Sequence, residues 1–414
     1  EASAASAGWH LRTLSVAAPG RSTFSLSGDF VTDGTDAAPH FEGSVALSSE
    51  QPAALAVWWR ATDAVPAATL PLSLEASVSA SADAVRLPTL RITSGGAVLS
   101  GDFGWRAASD GVGGSMEVSL AGPVVDIDAL SALGRLAGDG SLTSLAGDVA
   151  VRLSGERVRV GDVEGGGFEL AATLTGGNLD IERLVLVDLA GARVEALGHI
   201  DDLATTPAGG LTATLRASRL DGLAALAVSV APGSGLAHQF ASAAPSLAPA
   251  DLSLSLTARP SGEAVEAKLT AGGSVGGSRL DGTLGFTGRP EDWAEGTVEA
   301  TLKAEGPDSG RLIAQLGIPV LPVSLGAGSL DVSLSGVPRT GVDATLSADV
   351  AGTKITLAGR LAMPVGQPFE TSGTANVDSP DLSELALAAG QLLPILDGGV
   401  PVRLELAFEG LGKG

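Results

Sequence analysis

The chain has no cysteine and no tyrosine, only nine phenylalanines and five tryptophans, and little positive charge. Without cysteine there is no disulfide scaffold, no thiolate metal site and no thiol nucleophile. Lysine and arginine number 25 against 47 aspartates and glutamates, giving a formal net charge of −22 and a sequence pI near 4.4. An acidic chain with no basic stripe repels nucleic acid and anionic membrane surfaces, which argues against nucleic-acid binding. No run approaches the roughly 20 consecutive apolar residues of a membrane-spanning helix. The opening EASAASAGWH has neither an initiating Met nor a basic signal-peptide region, and the chain reads as a mature or excised segment.

Recognisable chemistry is also missing. His10, His40, His199 and His238 are scattered without metal-ligand spacing, and His199 beside Asp201 and Asp202 fits a solvated turn. Asp126 and Asp128 resemble half of a calcium loop whose remainder is absent, so helix capping accounts for them better. Gly165-Gly166-Gly167 and Gly276-Gly277 lack the following Lys-Ser/Thr of a phosphate loop, and GSGLAHQF around Ser234 is a poor nucleophile motif. The expectation is a non-enzymatic protein with no catalytic residue, no metal and no cofactor.

What the chain does have is a mean hydropathy of +0.31 and apolar residues that alternate with period two almost everywhere. Leu70, Leu72, Leu74, Ala76 and Val78 share one face of a predicted strand; Leu280, Gly282, Leu284 and Phe286 share another; Val402, Leu404, Leu406 and Phe408 a third. Such alternation describes antiparallel strands with one apolar and one solvated face. Gly-Gly pairs at 95–96, 113–114, 176–177, 209–210 and 272–273 are placed between strands, where φ > 0 is needed. Helices are expected only over about 126–137, 220–228, 236–247, 308–317 and 380–393, mostly opened by an Asp. Trp58-Trp59 reads as core packing at a strand end, with a groove mouth or partner contact as the alternative.

A module recurs: a strand with a glycine on its apolar face, a Pro/Gly turn, a second strand, an Asp and a short Leu-rich helix. The glycines are Gly28, Gly101, Gly198, Gly282 and Gly359, each in phase with the apolar residues. They are read as bends or bulges where the sheet curls, with room for a ligand as a compatible second role. The copies divide the chain into five β repeats, 1–90, 91–178, 179–250, 251–340 and 341–414, and favour an elongated repeat architecture.

LAGRLAMP…SGTANVDSPDLSELALAAG, LSGDFGW…GGSMEVSLAGPVVDIDALSAL and ALGHIDDLATTPAGGLTATLRASRLDGLAAL carry a resemblance to the AsmA-like family of Gram-negative envelope proteins, which includes TamB-like and YhdP-like members. The resemblance implies an antiparallel sheet curled lengthwise into a hydrophobic groove (a β-taco) that carries phospholipid to the outer membrane. It also implies a periplasmic location with an inner-membrane anchoring helix, which this sequence lacks. Residues Phe103, Leu120, Leu170, Ile200, Leu215, Leu284, Phe286, Leu302, Leu346 and Leu361 would line the groove.

The physics of lipid fits such a strip. An acyl chain of about 16 carbons costs on the order of 12 kcal/mol to expose to water, at about 0.8 kcal/mol per methylene. Moving it through an aqueous space takes an unbroken apolar path, and an aliphatic lining suits sliding alkyl chains. Expected partners are therefore phospholipid acyl chains and the inner membrane, with side-by-side copies or envelope proteins at exposed strands. The competing reading is a structural or adhesive surface protein, a closed β-solenoid or sandwich whose apolar strip is filled core.

Overall fold

The computed structural model describes residues 2–5, 8–32, 39–60, 70–109, 113–130, 147–160, 163–203, 206–231, 233–262, 264–318, 320–321, 323–362, 370–391 and 399–411. The protein is mainly β, as the alternation predicts. It divides into two units, 1–189 and 190–414, so the single boundary falls inside the third of the five repeats.

The first unit contains β1 (Ala2–Ala5), β2 (Gly8–Ala18), β3 (Ser22–Val31), β4 (His40–Ser49), β5 (Leu72–Ala80), β6 (Ala84–Ser94), β7 (Ala97–Arg106), β8 (Ser115–Asp126), β9 (Asp148–Val160), β10 (Val163–Thr175) and β11 (Asn178–Leu189). Each strand pairs with the next, and all but one of these pairings are antiparallel. The exception corrects the all-antiparallel expectation: β8 and β9 run parallel, Met116 facing Val149 and Leu120 facing Leu153. A parallel pair needs a crossover that returns the chain to the starting end of the sheet. Period-two alternation fixes faces but not strand direction, so nothing in the pattern announced it.

Helix α1 (Pro52–Arg60) sits between β4 and β5 and corrects a second expectation, since Trp58 and Trp59 lie on this helix and not at a strand end. Of the helix expected over 126–137, residues 127–130 are helical and the remainder lies outside the described residues. Asp126 starts it. Its Oδ1 accepts a hydrogen bond from the Ala129 N–H at 3.0 Å, and its Oδ2 accepts from Arg159 Nε at 3.0 Å and from Arg159 Nη2. The pair stands beside Val125 and Val158, neither of which reaches solvent.

The second unit contains β12 (Ala192–Asp201), β13 (Ala208–Ala217), β14 (Ala250–Ser261), β15 (Ala264–Val275), β16 (Ser278–Gly288), β17 (Thr297–Gly306), β18 (Gly328–Val337), β19 (Gly341–Val350), β20 (Thr353–Ala362), β21 (Glu370–Ser379) and β22 (Val402–Leu411). It is an antiparallel meander with no register shift in its pairings. Gly95-Gly96, Gly176-Gly177 and Gly276-Gly277 form two-residue turns with φ positive at both positions, the geometry that matches strand twist. Two expected turns are not turns: Gly209-Gly210 lies inside β13 and Gly272-Gly273 inside β15.

Helices α2 (Asp221–Val230), α3 (Gly235–Leu247), α4 (Ser309–Gln315) and α5 (Ser383–Ala388) fall in the predicted windows, although 392–393 lie outside the described residues. Asp308 caps α4 by accepting from the Gly310 N–H at 3.0 Å, and Ser234 caps α3. Asp221 does not cap α2; Leu220 holds that position without a side-chain bond. Asp381 accepts from the Ser383 and Val400 N–H groups at 3.0 Å each. The Ser383 hydroxyl and these two N–H groups hold its carboxyl below the usual range.

The Asp126 pair gives a stability prediction. Burial pushes this carboxyl up, but the Ala129 N–H and the Arg159 guanidinium outweigh it and hold the group below its ordinary range. A depressed carboxylate adds stability above its unfolded pKa of about 3.9 and loses it as pH falls through the depressed value. Asp126→Asn should cost roughly 1–3 kcal/mol at neutral pH in urea unfolding, toward the lower end because Arg159 is 32% exposed and can reach water. The gap to the parent should close as pH drops below about 4; a gap unchanged by pH would refute the assignment.

Candidate functional site: an apolar sheet face

Cross-strand register turns the alternation into continuous rows. In the second unit one row runs through Ala196, Ala213, Leu254, Ala271, Gly282, Leu302, Val332, Leu346, Leu357, Ala375 and Leu406, one residue from each strand. The row beside it includes Leu256, Leu269, Leu284, Leu334 and Phe408; the next includes Ile200, Phe286, Val298 and Leu361. No charged side chain stands in these rows. The intervening positions carry the charge, as with Asp281, Lys303 and Asp331, and face the opposite way.

Among the described residues, α-helices cover this face at one end. Leu220 and Ala224 of the α2 segment and Ala244 of α3 pack on Ala192, Ala217, Ala250 and Val275, the terminal residues of four strands. Leu312 of α4 does the same for Ala304 and Leu330, and Ala388 of α5 joins Val350 and Leu325. Beyond the helices the face is open: Leu284 is 43% exposed, Leu334 37%, Leu404 43% and Leu406 50%.

The first unit has its own opening at the equivalent strand ends. Helix α1 leans over the sheet and leaves a cleft of about 560 Å³ lined by Val16, Phe24, Leu47, Leu55, Trp58 and Trp59 among others. Trp58 is 54% and Trp59 79% exposed, their rings 6.4 Å apart. Alternation alone puts Trp58-Trp59 at a strand end; the apolar run AALAVWW following a proline is the signal for the helix.

All ten expected lining residues occupy apolar positions. Ile200, Leu284, Phe286, Leu302 and Leu361 stand in the rows of the second unit, while Leu215 and Leu346 are partly buried against the helix clusters. In the first unit Phe103 packs with Met116 and Val149, Leu120 is buried, and Leu170 faces Leu153 and Leu184. The five glycines differ from one another. A Cβ at Gly28 would meet the Glu42 carbonyl, at Gly101 the Ser119 carbonyl, at Gly198 the Gly210 carbonyl and at Gly359 the Ser372 carbonyl. At Gly282 the nearest atom is the flexible Leu302 Cδ1, 3.3 Å away. Gly28 also has φ of +153° and faces Gly43 across the ladder. The Phe408 ring fills the space above Gly373 and reaches Gly359.

Among the described residues no group of three His, Asp or Glu side chains is placed to hold a metal. His199 bonds Asp201 at 2.8 Å with both side chains exposed. No helix among the described residues is long and apolar enough to cross a membrane. Comparison with family models, with curated proteins and with solved structures gave no match.

The glycine geometry separates the five positions by experiment. Gly101→Ala and Gly198→Ala force a methyl group into neighbouring backbone and should each cost about 2 kcal/mol or more, as overpacking does. Gly282→Ala should stay within about 1 kcal/mol, because only a side-chain methyl must move. Equal losses at all three in urea unfolding would show that backbone proximity is not what selects glycine here.

Proposed function

We propose that the protein is a non-enzymatic envelope protein whose apolar sheet face binds and conducts the acyl chains of phospholipid between two membranes. The observation that carries this reading is the set of uncharged, in-register rows in the second unit whose leucines are left half-exposed beyond the helices. Such a face can take up alkyl chains, each shielded methylene contributing about 0.8 kcal/mol. A smooth aliphatic lining favours sliding over tight recognition of one ligand. The acidic groups stand on the other face, so phosphate heads would stay in water and not in a basic pocket.

The resemblance to AsmA-like proteins supplies the setting: a periplasmic location, an inner-membrane anchor, and a sheet curled lengthwise into a groove around the lipid. Gly28, Gly101, Gly198 and Gly359, at which a side chain would strike the adjacent strand, support the curled sheet. A closed structural array is the weaker reading, since a filled core at native density would not leave Leu284 and Leu406 about half exposed.

The test is native mass spectrometry with lipid extraction on the purified chain. Diacyl phospholipid should co-purify. Leu284→Glu and Leu361→Arg should reduce bound lipid several-fold while leaving the β circular dichroism unchanged, because a carboxylate at the 43% exposed Leu284 position, and a guanidinium extending on its long stem from the partly exposed Leu361 position, stay hydrated until lipid covers them. Thr283→Glu, on the opposite face, should bind as the parent does. A folded chain that never carries lipid would sink the proposal.

A further inference from the structure

Helix α1 meets the sheet of the first unit as a wedge. Its start is tied down: the Gln51 N–H donates to the Gly20 carbonyl at 3.0 Å, and a Cβ at Gly20 would strike the Gln51 carbonyl. Pro52, Leu55, Ala56 and Trp59 recur at helical spacing and form the stripe that faces the sheet. Burial falls away along that stripe. Pro52 is buried and Ala56 is 6% exposed, whereas Trp59 is 79% exposed. The space that opens is the cleft of about 560 Å³, floored by Val16, Phe24 and Leu47, which pair in one row across β2, β3 and β4.

The lining selects hydrocarbon. Among the described residues no charged side chain borders the cleft. The Ser22 hydroxyl is already engaged, with the Pro19 carbonyl at 2.7 Å and the Ser49 hydroxyl at 2.8 Å. A polar ligand group placed there would lose its water without gaining a partner. At roughly 30 Å³ per heavy atom, the share of one water in the liquid, about 560 Å³ holds roughly 18 carbons, one acyl chain and not two. The Gly20–Gln51 contact closes one end. Trp58 and Trp59 stand at the other, where an indole with its apolar body and its N–H suits the boundary between hydrocarbon and water.

We propose that the cleft under α1 holds the single chain of a monoacyl lipid, its tail toward the Gly20–Gln51 contact and its head in water beside Trp58 and Trp59. The net charge of −22 favours a zwitterionic or neutral head over a carboxylate. The site rests on the same reading of the protein as a lipid binder, but it shares no residue with the rows of the second unit, so either can fail alone.

Calorimetric titration with lysophosphatidylcholines of graded tail length, each below its micelle threshold, tests the site on the lipid-stripped parent and on Leu284→Glu. In both, one site per chain should bind about fourfold tighter for each added methylene until the tail reaches roughly 18 carbons, and then level off. Val16→Trp, which fills the cleft from a floor position already 40% exposed, should move that limit to shorter tails with the β circular dichroism unchanged. A diacyl phosphatidylcholine should bind the site no tighter than the lysolipid of equal chain length. A brominated tail should quench tryptophan emission, and Trp58→Phe with Trp59→Phe should remove most of that quenching while keeping the binding. No binding, affinity that rises without a length limit, a limit that Val16→Trp leaves in place, or a second chain that adds as much as the first would overturn the proposal. A length-limited site in a chain that never carries diacyl lipid would support this cleft and refute the conducting face alone.

Discussion

Register is the constraint on which the rest of this structure depends. Side chains alternate with period two, so a slip of one residue in one strand exchanges its faces. A slipped β17 would place Glu299, Lys303 and Glu305 in the rows now held by Ala300, Leu302 and Ala304. In the second unit the register holds from β12 to β22, and the reasons are local. Gly276-Gly277 fixes β15 against β16 by a two-residue turn. Hydroxyl pairs tie opposite strands, Thr283 to Thr301 at 2.8 Å and Ser333 to Thr345 at 2.7 Å. Ion pairs such as Lys303–Asp331 are exposed and add little energy. Any slip separates them, so they specify alignment more than they stabilise.

The two ends of the second unit's face are then unequal by construction. The connections at one end contain α2, α3, α4 and α5, whose small and aliphatic side chains bury the terminal residues of the strands. At the other end the described connections hold a 3-10 turn (Pro290–Glu295) and, among the described residues, no α-helix. Small residues are therefore enough under the helices, where Ala192, Ala217, Ala250 and Ala304 allow close approach, while larger side chains such as Leu284, Leu334 and Leu406 remain exposed away from them. The face is stabilised where it is capped and available where it is not.

Much of this was legible in the sequence because alternation reports burial face directly. Strands, the helix windows after β13, β17 and β21, and the in-phase glycines could all be read from spacing. The strands least visible were β2, β6 and β11, and they share one cause. Each carries an extra residue relative to its neighbours, at Leu11/Leu14, Leu87/Leu90 and Ile181/Arg183. The apolar phase therefore jumps from odd to even positions: Trp9 and Leu11 give way to Leu14 and Val16, Val85 and Leu87 to Leu90 and Ile92. A search for strict period two discards such strands, whereas a search for a phase jump finds both the strand and its bulge. The parallel β8–β9 pair was hidden for a different reason, since alternation carries no direction. The openness of the face was hidden as well, because a filled core and a bare sheet demand the same pattern.

The bulges also distinguish the two units in what their faces can do. A bulge bends its strand, increases local twist and interrupts the ladder, so a row that meets one is displaced sideways. All three bulged strands belong to the first unit, and the pairings of the second have none. An alkyl chain on the second unit would find rows of near-equal apolar sites with no step between strands, which favours passage. On the first unit it would find broken rows, well-buried clusters around Leu99 and Leu120, and a cleft between α1 and the sheet flanked by Trp58 and Trp59. Broken rows and a walled cleft retain a chain more than they pass it along. The same alternation thus yields broken rows in one unit and unbroken rows in the other, and three inserted residues, one in each of three strands, mark the difference.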